Sequence, residues 1–193
     1  MAAQKAILIT DGDRTAQNTI ETVADKLNLR TISSSAGNPT PCSGEKIIEL
    51  IKASPAEVVL VMFDDEGDLQ QGAGEKALER VLASSEIEVL GVVAVAANSK
   101  EVQGIEPDFS ITREGERVAE PVDKEGQVEA EGNIYLEGDT VDVINQFEVP
   151  LVVGVGDIGK MDEQDRLEAG APITTQAIEE ILARSGIDYE AYS

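Results

Sequence analysis

Short, continuous apolar runs alternate with amphipathic stretches along nearly the whole chain, and this rhythm constrains the fold more than any other feature. The clearest run is Val58, Val59, Leu60, Val61, Met62 and Phe63, apolar at successive positions. A strand buried on one face alternates in polarity, whereas a strand covered on both faces does not, so this run reads as the centre of a parallel sheet. Residues 6–10 and 89–95 read the same way, and residues 151–155 supply the last strand. Residues 30–33 form a short one. Between them, Ala16, Ile20, Val23, Ala24 and Leu27 share one helix face, Ile47, Ile48 and Ile51 a second, and Ala77, Leu78, Val81 and Leu82 a third. A helix is expected near residues 141–147. A C-terminal helix is expected with Thr174 as its cap, Ile173 and Ile178 as a staple, and Gly186 as its stop.

Residues 98–137 break the rhythm. They read as an insertion at the edge of the domain, with a hairpin turning at Gly115 and a second turn at residues 123–126. The 193 residues therefore predict one α/β domain, a three-layer Rossmann-like sandwich with a mostly parallel sheet of about five strands and a small hairpin insertion. Aromatic residues make up only 3% of the chain, with no Trp, so aliphatic side chains must fill the core.

Charge and missing residue types narrow the chemistry. Against 38 acidic residues stand 15 basic ones, a net charge of −23. Such a surface repels phosphate backbones and anionic headgroups, which argues against nucleic acid and favours divalent cations or basic proteins as partners. A plainer reading is that the acid keeps the protein soluble. The chain has no histidine, which removes His-assisted nucleophiles and His-based zinc sites. Its one cysteine, Cys42, leaves no internal disulfide. Residues 1–5 lead into an apolar stretch that ends at Ile9, which is not a signal peptide. The longest apolar stretch, residues 89–97, is far short of the roughly 20 residues of a membrane span, so no direct membrane insertion is expected.

A parallel sheet gathers its loops at the carboxyl ends of the strands, where ligands usually bind. That places Asp11, Asp13, Asp64, Asp65, Asp68 and Asp157 on one rim. So many carboxylates repel one another without wide spacing or a cation, and Ca2+ or Mg2+ is the ion such a rim would take. Residues 11–15 fit the D-x-D-x-T pattern of haloacid-dehalogenase-type phosphotransferases, with Asp11 as nucleophile and magnesium on the phosphate. Equally, they fit a strand end turning into a helix capped by Asp13. Asp64, Glu66, Asp68 and Glu75 have the spacing of a calcium loop, but Leu69 stands where such a loop needs Gly. The same acidic strand end is similar to toprim metal sites, although their glutamate after the first strand is absent; a solvated acidic loop explains it as well.

Residues 154–160 satisfy both G-x-G-x-x-G and G-x-x-x-x-G-K, but Met161 replaces the hydroxyl that a P-loop needs, and too little chain follows for a dinucleotide fold. Tight-turn glycines are the better reading, with Lys160 a rare cation near an acidic rim. The loop carrying Ser35, Gly37, Asn38, Thr40 and Ser43 can cradle an anion at a helix start, or serve only as a capped turn.

Taken together, residues 10–13, 34–41, 61–65, 72–75, 88–92, 154–161, 170–174 and 184–186 resemble the soluble stage V sporulation protein AE family, in order and with similar spacing. Residues 113–137 match least. The resemblance implies an endospore-forming bacterium and an operon whose products move dipicolinic acid with calcium into and out of the spore. It further implies a soluble, non-enzymatic subunit that sits peripherally at the spore inner membrane through other proteins of that operon. No catalytic residues carry over. The reading that competes with it is a magnesium-dependent phosphohydrolase, or a toprim-like metal-binding domain, using the strand-end aspartates.

Overall fold

The computed structural model describes residues 3–65, 71–98 and 103–188. Among them, seven strands form one sheet in the order β2-β3-β1-β4-β7-β5-β6. These are β1 (Gln4–Ile9), β2 (Arg30–Thr31), β3 (Val58–Met62), β4 (Ile87–Val95), β5 (Phe109–Ile111), β6 (Arg117–Val118) and β7 (Val152–Val155). Every pairing is parallel except that of β5 with β6. The helices are α1 (Arg14–Lys26), α2 (Gly44–Ala53), α3 (Ala73–Leu82) and α4 (Pro172–Arg184).

The unbroken apolar runs now have a cause. In β3, Val58, Leu60 and Met62 join the core under α1 and α4, while Val59 and Val61, followed by Phe63, join the core under α2 and α3. In β1, Ile7 and Ile9 serve the first core, Ala6 and Leu8 the second. Both faces are covered, so neither parity of position can be polar. The α/β sandwich expected from the sequence is what forms.

The sheet is wider than about five strands because residues 98–137 contribute to it. Phe109 and Ser110 pair in parallel with Val153 and Gly154 of β7, and Phe109 and Ile111 are buried in the core under α4. The hairpin turns at Gly115 as expected, with β6 running antiparallel at the sheet edge. Residues 123–126 also turn, closed by Gly126 N–H donating to Asp123 O at 2.9 Å. Strand β2 is shorter than residues 30–33, and Ser33–Ser35 instead form a 3-10 turn. The helix expected near 141–147 is a 3-10 helix, Asp142–Gln146.

Helix α4 starts two residues before Thr174, which is therefore not its cap. Ala171 precedes the helix in a left-handed conformation, φ 46°, and Pro172 opens it. Gly186 follows its end at φ 67°, as expected of a stop.

Gly91 lies in β4 where α4 crosses the sheet. A Cβ there would stand 2.9 Å from both Leu151 O and Ile181 Cγ2. Gly91→Ala is expected to cost about 1–3 kcal/mol by overpacking, read as a lower urea midpoint with an unchanged slope.

Candidate functional site

The order of strands places a crevice at a defined point. From β1 the chain crosses by α1 toward β2 on one side, whereas β4 is followed by strands on the other. In open α/β sheets such a reversal leaves a gap between the carboxyl ends of the two adjacent strands. A cleft of about 210 Å³ lies there, at Thr10 and Asp11 after β1 and Ala96 after β4. Asp13, Asp64, Asp139 and Asp157 also line it, with Lys124, Lys160 and Asn38. Larger hollows of about 430 and 590 Å³ lie beside Leu27 and Pro55 and between α2 and α3. Neither holds a buried ionisable side chain.

Each aspartate of the rim has a separate environment. Asp11 is 8% exposed, and its Oδ1 accepts a 3.2 Å bond from Asp13 N–H. Burial, reinforced by the charges of Asp13 and Asp64, pushes its carboxyl up to about 8, so it holds its proton at neutral pH. Asp13 caps α1 by accepting from Ala16 N–H at 2.8 Å. Burial pushes its carboxyl up, but the Ala16 N–H and Lys160 outweigh that and hold it below the usual carboxylate range.

Lys160 Nζ stands 3.0 Å from Asp13 and 3.1 Å from Asp157. Desolvation pulls the ammonium down, yet hydrogen bonds to these two carboxylates leave it raised. For Asp157, burial wins over Lys160 and the carboxyl is raised. The cation that the rim needs is thus, in part, a lysine of the chain itself.

Asp64 accepts from Gly12 N–H at 3.2 Å and from Asp65 N–H at 2.8 Å. Asp65 faces away from the cleft lining: it takes the N–H groups of Gly74 and Glu75, each at 2.6 Å, at the start of α3. Burial, with Asp65 next in effect, pushes the neighbouring Glu75 up to about 7. Asp68 lies outside the described residues. Among the described residues, no three His, Cys, Asp or Glu side chains are grouped so as to hold a metal ion.

The Ser35–Ser43 loop spends its hydroxyls inside the fold. Ser35 Oγ donates to Ile32 O at 2.7 Å and accepts from Met62 N–H at 3.0 Å. Gly37 N–H donates to Gly12 O at 2.8 Å, which ties this loop to the one after β1. Thr40 Oγ1 accepts from Asp64 N–H at 2.9 Å, and Ser43 caps α2. Of the residues expected to meet a ligand, Asn38 and Lys160 line the cleft.

Three contributors escaped the sequence reading: Lys124, Asp139 and Asp165. Asp165 is fully buried. Its carboxylate takes the N–H groups of Gly159 at 2.9 Å, Ile173 at 2.8 Å and Thr174 at 3.0 Å, and the Thr174 hydroxyl at 2.5 Å. Those bonds hold the segment carrying Lys160 against the start of α4. The segment is strained: Met161, Asp162 and Glu163 are successively left-handed, at φ 47°, 52° and 65°. Each such residue costs roughly 1–2 kcal/mol outside glycine, so the surrounding bonds must over-determine the loop. The one cue in the sequence was an acid shortly before a helix opened by Pro172.

Comparison with known proteins gives a single positive result: the family model described as stage V sporulation protein AE1 matches residues 5–185. No curated protein and no solved structure matches the chain.

Asp165→Ala leaves several buried N–H groups without an acceptor, and a loss of roughly 3 kcal/mol or more is expected in denaturant unfolding. Asp11 supplies a pH signature. Its carboxyl keeps its proton to about pH 8 in the fold but loses it near pH 4 when unfolded, so its contribution to stability declines as pH rises through that window. Asp11→Asn should therefore raise the melting temperature little at pH 4 and increasingly up to pH 8, with no further gain above it. A difference that is flat with pH would contradict the assignment.

Proposed function

As the chain belongs to the stage V sporulation protein AE1 family, we propose that it is a soluble, non-enzymatic accessory subunit of the spore inner-membrane machinery that moves calcium–dipicolinic acid during sporulation and germination. A role in sporulation comes with the family. The finer assignment rests on the resemblance of its segments together with the state of the rim.

One observation carries the non-enzymatic part. Lys160 bridges Asp13 and Asp157 while Asp11, the residue in the nucleophile position of D-x-D-x-T, is buried and protonated at neutral pH. A phosphotransferase needs that first carboxylate ionised and beside magnesium. Here the second carboxylate is committed to a helix cap and an ammonium. A phosphate or dinucleotide is further disfavoured because Asp13 already places an anion at the start of α1.

Among the described residues no helix is long and apolar enough to cross a membrane. Residence at the spore inner membrane runs, in this reading, through partner proteins, and the charge of −23 favours basic segments on them. In this reading calcium and dipicolinate are cargo of the assembly, not a resident cofactor of this chain.

Affinity capture from detergent-solubilised spore inner membranes tests the role. Membrane proteins of the same operon should be recovered at low salt, with recovery falling steeply at about 0.5 M salt, where charges more than a few ångströms apart are screened. Their absence from the captured material at every salt concentration would reject the assignment. On a panel of phosphate esters with Mg2+, the wild type and Asp11→Asn should be equally inert. Turnover by the wild type that the variant loses would revive the hydrolase.

A further inference from the structure

The aliphatic core leaves few large apolar side chains outside, and those few are not scattered. Among the described residues the exposed large hydrophobic side chains are Val128, Ile134 and Tyr135, at 46%, 49% and 39%. All three stand in one short loop of the inserted segment. Isolated apolar residues are normal on a surface, whereas a group of them on one loop marks a contact. The aromatic residues point the same way. Phe63 and Phe109 are buried and Phe147 packs against the core, which leaves Tyr135 as the exposed aromatic side chain among the described residues.

The loop is held in shape by its own backbone. Val128 bridges Val122, and the buried Leu136 exchanges two backbone hydrogen bonds with Ile105, at 2.8 and 3.0 Å. Glu129 N–H donates to Pro121 O at 2.9 Å. Asn133 N–H donates to Ala130 O at 3.1 Å, closing a turn over Glu131 and Gly132, and Asn133 Oδ1 accepts from Tyr135 N–H at 3.0 Å. That turn folds the arm carrying Val128 back beside the arm carrying Ile134 and Tyr135. At its tip Gly132 is left-handed, φ 94°, and a Cβ there would meet nothing within 4 Å, so the described chain leaves the tip uncovered. An apolar loop already ordered loses little freedom when a partner covers it.

Charge selects what covers it. No Lys or Arg occurs between Lys124 and Lys160, whereas Glu129, Glu131 and Glu137 lie in or beside the loop. None of the three has an ion-pair partner among the described residues. A second copy of the chain would bring the same acids and a net charge of −23 against them. Anionic headgroups are repelled likewise. A protein segment whose apolar face is bordered by Lys or Arg meets both needs of the loop at once.

We propose that residues 128–137 are a docking surface for a basic amphipathic segment of a partner protein. Its apolar side chains seat on Val128, Ile134 and Tyr135, and its Lys or Arg side chains face Glu129, Glu131 and Glu137. Membrane proteins collect Lys and Arg beside their spans on the cytoplasmic side. That the partner is a protein of the spore inner membrane rests on the functional reading above; the surface itself does not.

Fluorescence anisotropy with the full chain tests the surface, using as probe a labelled amphipathic peptide of Leu and Lys about four helical turns long. A peptide of Ser and Lys with the same charge is the comparison. At about 0.15 M salt the Leu-Lys peptide should bind with a dissociation constant of about 100 µM or tighter. The Ser-Lys peptide should bind at least about tenfold more weakly. The triple variant Val128→Ser, Ile134→Ser, Tyr135→Ser alters exposed side chains only, so it should keep a cooperative melt while losing about tenfold or more in affinity. Amide shift changes in the wild type should centre on residues 128–137, a readout that stands even if the variant unfolds. Equal binding of the two peptides, undiminished binding by the folded triple variant, or shift changes centred elsewhere would each overturn the proposal. So would a wild-type dimer, or binding to neutral vesicles, that the triple variant abolishes, since a second copy or lipid would then be the occupant. Capture from spore membranes separates the two readings. Recovery undiminished by the triple variant rejects the loop and keeps the membrane role, whereas peptide binding on the loop with nothing captured keeps the loop and rejects the role.

Discussion

Parallel strands bring every βα loop to the same end of the sheet, and in this chain those loops are acidic. The fold must therefore neutralise a crowd of carboxylates from its own resources. Helix starts supply much of the answer. Asp13 sits at the start of α1, Asp65 at the start of α3, and Asp165 at the start of α4, each accepting N–H groups there. A helix start carries a partial positive charge of roughly half a unit, so two strand-end acids, Asp13 and Asp65, and the loop acid Asp165 are balanced by backbone. Lys160 balances Asp157 and completes Asp13. Asp11 is balanced by a proton.

That balance explains which parts of the molecule were legible in the sequence. The two-faced apolar runs of β1, β3 and β4 and the buried face of α1 follow from local composition, and they appear where the residues put them. The common rim follows from parallel topology alone. What each rim residue does there depends on contacts remote in sequence. Asp65 serves a helix that begins eight positions later, and Asp165 serves one seven positions on. Thr174 has the form of a cap, yet the acceptor at that helix start is supplied by Asp165, so its hydroxyl donates instead. The hairpin that contains β5 was legible from its turn at Gly115, but its place in the main sheet was not, because that place depends on pairing with β7, remote in sequence. The hydroxyls of Ser35 and Thr40 have the composition of an anion cradle, but β3 and its outgoing loop claim them first.

The glycine-rich stretch after β7 makes the same point. A Cβ on Gly156 would meet Gly126 N at 2.6 Å and Lys124 O at 2.8 Å. Glycine is required there because another loop of the protein presses against it. The motif is one of close packing, in keeping with Met161 standing in place of a magnesium-binding hydroxyl.

That close approach joins the inserted segment to the floor of the cleft. Asp157 N–H donates to Lys124 O at 2.8 Å, Arg113 N–H donates to Gly126 O at 2.9 Å, and Arg113 reaches Asp162 at 3.3 Å. The buried Met161 fills the space beside Gly126 and Gly156. The hairpin region is consequently not a removable appendage. Trimming it would strip the lid from a thioether, orphan an amide two residues from β7, and free the left-handed coil that aims the neighbouring lysine.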